Sequence, residues 1–357
     1  MNKKDIKNFT IEELKSEMKK ASIPSYRAEQ IFYWVYKKGV CDFNDMNNIP
    51  IRIRDTFYKH YYIGSIKLKE RLESIDGTEK FLFELSDGNF IETVLIYADK
   101  RRTVCLSTQV GCKYACRFCA SGLKGFVRNL YSSEIINQIL SLQHAFGRQI
   151  TNFVFMGMGE PLDNYENVSK SIVIMNSREA LGIGARRITL STCGIIPGIE
   201  RFKRLGIQAN LSISLHATNN KLRDFLMPIN KIYPLEKLIL SCERFIQQTG
   251  RKLTLEYVLI KGKNDSSDDA QKLLSIVKRL KAKVNLIPYS PVSNKNLETP
   301  LKRDIGLFKK VLLRNRIDVS VRRSKGRDIQ AACGQLAIRE NTRHFASRKR
   351  VPGKQSH

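Results

Sequence analysis

Seven strand-like runs alternate with helical runs through the last two-thirds of this 357-residue chain. The strand-like runs are 103–108, 151–156, 187–192, 210–215, 252–260, 284–289 and 318–322. Between them, 134–146, 235–247 and 268–280 have helical periodicity, with Ile135, Ile139 and Leu142 on one face of the first. Regular strand–helix alternation requires crossover connections, so the sheet is predicted to be parallel, either open or closed into a barrel. Ligands of such sheets gather at the C-terminal ends of the strands. The residues that follow each run are therefore the candidates for function.

The first 62 residues read differently. Thr10 followed by Glu13 forms a capping box that opens a helix with Leu14 and Met18 on one side. A second helix over 26–38 carries Ile31, Phe32, Trp34 and Val35 and stops at Gly39. Aromatic residues here alternate with Lys37, Lys38, Arg52, Arg54 and Lys59. The aromatics are read as the core of a small helical bundle and the cations as its solvated face. From 65 to 98 the period changes to two, and Asp76-Gly77 and Asp87-Gly88 mark hairpin turns. The expected organisation is a helical accessory domain at 1–62, a β extension at 63–98, a catalytic domain at 99–338 and a basic tail at 339–357. The tail contains Arg339, Arg343, Arg348, Lys349, Arg350 and Lys354.

Lys and Arg number 62 against 34 Asp and Glu, for a formal charge of +28. A field of that sign suits a polyanion. No segment joins a basic face to a strongly apolar one, so nucleic acid is favoured over a membrane surface. No apolar run approaches the roughly 20 residues of a bilayer span, and the start Met1-Asn2-Lys3-Lys4-Asp5 lacks a signal-peptide core. The expected location is cytoplasmic.

Eight cysteines in a large cytoplasmic chain are not a disulfide framework. Three crowd into Cys112-Lys-Tyr-Ala-Cys116-Arg-Phe-Cys119, just after the first strand-like run. Three thiolates on one loop can each bind one iron of a cubane cluster and leave the fourth iron open. The alternative is zinc held by the same cysteines with a distant histidine such as His144; zinc sites usually present paired C-x₂-C knuckles, which this spacing does not. Further on, Met156-Gly157-Met158-Gly159-Glu160-Pro161 follows the second run. Its glycines would let a ligand approach the backbone, and Glu160 could accept from a cationic amine.

The C-x₃-C-x₂-C spacing after the first strand resembles the radical-SAM superfamily, in which the open iron binds S-adenosylmethionine. Three further segments narrow the resemblance: Met156 to Leu162, Ser214-Leu215-His216-Ala217, and Ala331-Ala332-Cys333-Gly334-Gln335-Leu336. Together with Cys105 they resemble the RlmN/Cfr family of radical-SAM RNA adenine methyltransferases, and most closely its RlmN branch. The implied fold is α/β, a (β/α) partial barrel with a small N-terminal helical accessory domain and a β-hairpin extension.

The resemblance implies a [4Fe-4S] cluster on Cys112, Cys116 and Cys119, and two molecules of S-adenosylmethionine per turnover, one as methyl donor and one as radical source. It implies that Cys333 is methylated first and then carries the methyl carbon to adenine C2. Cys105 would release the protein from RNA through a transient disulfide, and Glu92 would accept the ring proton. Cosubstrate contacts would come from Gly159, Glu160, Ser191, Ser214, Leu215, His216 and Ser290. Two positions depart from the family pattern: Ser290 stands where Asn is usual, and Gln330 where Asp is common three residues before the methyl-carrying cysteine. Cys41, Cys193 and Cys242 match no role and read as packing residues. The implied substrates are 23S rRNA in the peptidyl-transferase region and tRNA next to the anticodon. Flavodoxin or ferredoxin would be the electron donor, and the enzyme would be a monomer. The competing readings are Cfr-like methylation of adenine C8, which confers antibiotic resistance, and a non-catalytic zinc RNA-binding protein.

Overall fold

A computed structural model describes residues 3–336, apart from 124, 293–295 and 323. The basic tail lies outside the described residues. The chain begins with strand β1 (Lys4–Asp5) and helix α1 (Ile11–Lys20), whose Thr10 and Glu13 complete the predicted capping box. Next come α2 (Tyr26–Phe32), continued as a wider helical turn to Lys38, and α3 (Ile51–His60). Gly39 ends the second helix at φ 70°, the left-handed conformation that glycine adopts without strain. Phe32, Tyr36, Phe43 and Phe57 are buried as predicted, whereas Tyr33 is exposed. Strand β2 (Tyr61–Tyr62) pairs with β1 and closes the bundle.

Buried polar contacts fasten this bundle to the rest of the molecule. Lys7 Nζ donates to Asn137 Oδ1 at 2.7 Å and to the Gly64 carbonyl at 2.8 Å. His144, the distant histidine of the zinc alternative, sits at the same seam with its ring against Gly39. It is therefore part of an interdomain contact and does not line the cysteine-bearing cavity.

The hairpin turns behave as predicted, and the antiparallel extension runs directly into the main sheet. Strands β3 (Lys67–Glu73), β4 (Glu79–Glu84) and β5 (Phe90–Ala98) pair antiparallel and continue into β6 (Arg101–Cys105). From β6 the sheet runs in parallel through β9 (Asn152–Phe155), β10 (Ile188–Thr192), β11 (Asn210–Ser214), β12 (Thr254–Leu259), β13 (Lys283–Pro288) and β14 (Val319–Val321). The result is one ten-stranded sheet in the order β14-β13-β12-β11-β10-β9-β6-β5-β4-β3, not closed between its ends. The seven parallel strands are the seven runs legible in the sequence. A short ribbon, β7 (Gln109–Gly111) with β8 (Phe126–Asn129), brackets the cysteine loop.

Helices fill the crossovers: α4 (Ser132–Leu140), α5 (Tyr165–Asn176), α6 (Ile196–Lys203), α7 (Asn220–Leu226), α8 (Leu235–Thr249), α9 (Ser267–Leu280) and α10 (Lys302–Arg314). The outer helices are exemplified by α9, where Ala270, Leu273, Leu274, Val277 and Leu280 are buried and the opposite face is charged, whereas α4 is buried at every position. Among the described residues no helix is long and apolar enough to cross a membrane.

Candidate active site

The C-terminal ends of the parallel strands surround a cavity. Cys112, Cys116, Cys119 and Cys333 all line it, together with Gly159, Glu160, Ser191, Ser214 and His216. Residues more than 200 positions apart in the sequence thus meet where the alternation of strand and helix predicts a ligand site.

The cysteine loop is held at several points. Cys112 N donates to the Gly125 carbonyl at 3.0 Å, and Arg117 N to the Leu226 carbonyl at 2.9 Å. Tyr114 Oη and Lys113 Nζ both reach Asp163 Oδ1, at 2.9 and 2.7 Å. Asp163 follows the Gly159-Glu160 turn, so it joins the cysteine loop to the end of β9. Burial pushes the Cys112 thiol up to about 12 and holds Cys116 well above its ordinary range. Such thiols are poor anions by themselves and become good ligands once a metal supplies positive charge. Among the described residues no three acidic, His or Cys side chains converge as ligands of one metal ion would. A cubane binds each thiolate to a different iron, so it needs thiols spread around a cavity. Cys112, Cys116 and Cys119 line one cavity, and their chemistry fits a [4Fe-4S] cluster.

The glycines of 156–161 line the cavity, and packing also keeps them small. A Cβ on Gly157 would lie 2.6 Å from the Leu106 carbonyl oxygen, and one on Gly159, at φ 95°, 2.5 Å from Gln109 Cβ. Both positions are small because the chain presses against the segment that leads into the cysteine loop. Glu160 is buried; its Oε1 accepts from Leu162 N at 3.0 Å and its Oε2 from Cys193 N at 2.7 Å. Burial raises its pKa. The side chains of Thr192 and Cys193 also donate to it.

His216 has φ 57° and lies edge-on to Phe118, with ring centroids 4.7 Å apart. Its Nδ1 accepts from Val258 N at 3.0 Å. Burial pushes the imidazole down to about 3, so it is neutral with its proton on Nε2, a donor available to a ligand. Leu215 lies between two cavity-lining residues and does not itself line the cavity. Its carbonyl accepts from Arg223. Arg223, which sequence periodicity did not flag, also donates to the Cys193 and Ser214 carbonyls at 2.7 and 3.2 Å and so braces two strand ends. Ser290 is buried but does not line the cavity; its hydroxyl bonds Ser324 Oγ at 3.1 Å.

Cys333 is exposed on a loop docked against the cysteine loop. Ala120 N donates to the Gly334 carbonyl at 2.6 Å, and Ser121 Oγ to the Leu336 carbonyl at 2.8 Å. From the other side, the tip of the β3–β4 hairpin holds the start of this loop. Ser74 Oγ donates to Asp328 Oδ1 at 2.6 Å, and Gly326 N to Asp76 Oδ2 at 2.9 Å. Cys105, at the end of β6, is buried in a small apolar cluster with Val94, Val154, Met158, Ala331 and Leu336. Glu92, on β5, is buried and paired with Lys80 at 2.9 Å. All eight cysteines are free thiols.

Comparisons with known proteins agree with this geometry. Residues 106–274 match the Radical SAM superfamily, and residues 4–63 match the Ribosomal RNA large subunit methyltransferase N-terminal domain. A Clostridium novyi protein named "Probable dual-specificity RNA methyltransferase RlmN" is 46% identical over 334 residues, 93% of this chain and 97% of its own. The chain belongs to the RlmN family of radical-SAM RNA methyltransferases. A Thermotoga maritima RlmN of the same printed name is 45% identical over 337 residues, covering 94% of this chain and 98% of its own. The crystal structure of a radical SAM methyltransferase from Sphaerobacter thermophilus superposes with a TM-score of 0.87 at 40% identity. That match covers 93% of this chain and 99% of the other. RlmN membership sets aside the non-catalytic zinc reading.

Proposed function

We propose that this RlmN-family enzyme methylates C2 of an adenosine in 23S rRNA and in tRNA next to the anticodon, through a methylated Cys333. The observation that carries this reading is the docking of the Cys333 loop on the cysteine loop, which puts an exposed thiol in the wall of the cavity that fits the cluster. The printed name of the relatives, dual-specificity, supports two RNA substrates.

When bound, the cluster and two molecules of S-adenosylmethionine supply a methyl group and a radical able to abstract hydrogen. Cys112, Cys116 and Cys119 hold the cluster. Gly159, Glu160, Ser191, Ser214 and His216 hold the cosubstrate, with Glu160 accepting from its amine. Ser290 and Leu215 support the pocket from behind. Cys333 sulfur receives the methyl group and, after loss of one hydrogen, presents its carbon to adenine C2. The Cys105 thiolate then attacks Cys333 sulfur: an S–S bond forms, the Cys333 S–C bond breaks, and its electron pair passes to the carbon bound to adenine, which takes up a proton; the one electron left unpaired by the addition would be accepted by the cluster held on Cys112, Cys116 and Cys119. Glu92 takes the C2 proton. An external flavodoxin or ferredoxin supplies electrons to a monomeric enzyme that works in the cytoplasm.

Deleting the gene and mapping methylated adenosines by mass spectrometry of digested RNA tests the reading. The C2-methyl adenosine should vanish from 23S rRNA and from tRNA. A methyl found at C8 would overturn the assignment.

A further inference from the structure

Alternate residues of a strand share one face of the sheet, and the parallel strands use one face twice. Toward their C-terminal ends Ser191, Ser214, Val258 and Ile287 line the active-site cavity. An even number of residues earlier on the same four strands, Thr189, Ser212, Thr254 and Asn285 line a second cavity. It therefore lies on the same face, toward the N-terminal ends, and Met156, Glu256 and Arg322 form a wall common to both. Leu190, Ile213, Leu255 and Leu286, which alternate with these residues, are buried on the other face. In a closed barrel of strands and helices the inward positions are packed with branched apolar side chains. Here the lower layer presents hydroxyl and amide groups to an unfilled space.

The rim of this lower cavity is cationic. Arg101 opens β6, Arg186 precedes β10, Arg251 and Lys252 precede β12, and Lys283 opens β13; all five line the cavity. Glu256 is the one carboxyl of the lining. Lys283 pairs with Asp318 at 2.9 Å. Among the described residues no carboxylate oxygen lies within 4.0 Å of the other four cations. Arg251 is held in place: its guanidinium lies over Phe202 and Phe245, 5.6 and 5.1 Å from the ring centroids. Its Nη1 donates to the Ile207 carbonyl at 3.4 Å, and its Nη2 has no hydrogen-bond partner. On the shared wall, Glu256 Oε1 accepts from Asn285 at 3.0 Å, while Oε2 has no hydrogen-bond partner. Arg322 and the Ser212 hydroxyl also act on that carboxyl.

We infer that the lower cavity is a second binding site, for a small phosphate ester whose head carries hydroxyl groups. The phosphate would sit at the rim, where Arg186, Arg251 and Lys252 lack a carboxylate and the fork of Arg251 is already oriented. The hydroxyls of the head would exchange hydrogen bonds with Thr189, Ser212, Thr254 and Asn285. Sugar phosphates and nucleotides share this chemistry. A folded RNA would meet only the rim and leave the polar layer behind it unused. The site does not depend on the roles proposed for the cysteines.

The test is isothermal titration calorimetry of the cluster-loaded, unreduced protein, with S-adenosylmethionine saturating the upper cavity. The probes are ATP, ribose 5-phosphate and inorganic phosphate. At least one of the two esters should bind with a Kd below about 1 mM, and more tightly than inorganic phosphate. A preference for ATP identifies a nucleotide site, and a preference for ribose 5-phosphate a sugar-phosphate site. Arg186 and Lys252 are exposed, so Arg186→Gln combined with Lys252→Gln should leave thermal unfolding unchanged. It should weaken the ester about tenfold or more, through loss of two charge-assisted contacts. Thr254→Val keeps the side-chain shape and removes the hydroxyl; it should weaken the ester and leave inorganic phosphate unaffected. Failure of both esters to bind, binding no tighter than that of inorganic phosphate, or equal affinity in the double variant would overturn the inference. Loss of RNA affinity in the double variant, with no ester bound by the wild type, would assign these cations to RNA and overturn it as well.

Discussion

The amide of Ala120 donates to the carbonyl of Gly334 at 2.6 Å. With the bond from Ser121 Oγ to the Leu336 carbonyl, it joins the loop of three cysteines to the loop of the fourth, across more than 200 residues of sequence. It places Cys333 beside the cavity that receives the cluster, and most of the functional account depends on it.

Gly334 is therefore a sensitive position. It has φ 82°, and a Cβ there would lie 3.0 Å from the Phe118 carbonyl oxygen. Gly334→Ala should cost about 1–3 kcal/mol through left-handed strain and shift Cys333 off its dock. Methylation should fall at least tenfold while iron content stays at the wild-type level. Iron and sulfide analysis beside an activity assay checks this, and an unaltered rate in the alanine variant would show that the dock tolerates displacement.

Cluster loading should follow the three cysteines of the loop. Anaerobically reconstituted protein should hold about four irons per chain, as a cubane requires. Replacing Cys112, Cys116 and Cys119 by Ala should remove iron and sulfide together. Retention of either in the triple variant would show that the ligands lie elsewhere.

Much of this arrangement was legible beforehand, and the reasons for the failures are physical. Strand-forming apolar runs, the Thr10–Glu13 capping box and the Asp-Gly turns are local signals, and they located the elements. The cysteine spacing and the segments around Glu160, His216 and Cys333 are local as well, so the site was legible in pieces. Contacts between distant segments were not. Nothing near 65–98 says that this hairpin extends the main sheet, or that its tip at Ser74 and Asp76 holds the loop of Cys333. The glycines after β9 line the cavity, but nothing local shows that they also yield to the backbone of Leu106 and the side chain of Gln109. Arg223 falls in no periodic pattern, and only the folded chain shows the strand ends that it braces.

His216 gives a pH-dependent stability. Its folded pKa is depressed to about 3, with burial the larger cause and Arg223 acting the same way. An unfolded histidine titrates near 6.5, so between about pH 6.5 and 3 the unfolded chain binds a proton that the folded one does not. The contribution is complete above about pH 6.5 and is lost as pH falls, at up to ~1.4 kcal/mol per unit. Urea unfolding from about pH 7 to about pH 5 should show a shallower slope for His216→Asn than for the wild type. Equal slopes would mean that the imidazole is solvated in the native state.

RNA affinity should depend steeply on salt, because cations displaced from phosphates drive the binding. With a charge of +28, the expected loss is about tenfold or more between about 50 and 200 mM salt. Filter binding of a 23S rRNA fragment checks this, and a flat dependence would remove charge as the driver.

The roles proposed for Cys333 and Cys105 separate transfer through Cys333 from any simpler route. Cys333→Ala removes the methyl carrier, so it should form neither product nor adduct. Cys105→Ala leaves the carrier intact and removes the thiol that resolves the adduct. Labelled RNA on a denaturing gel reads both variants at once. Cys105→Ala should accumulate a shifted band of protein joined to RNA by a methylene bridge, which mass spectrometry after nuclease digestion should place on Cys333. Normal turnover by Cys105→Ala, or a crosslink in Cys333→Ala, would contradict the assigned roles.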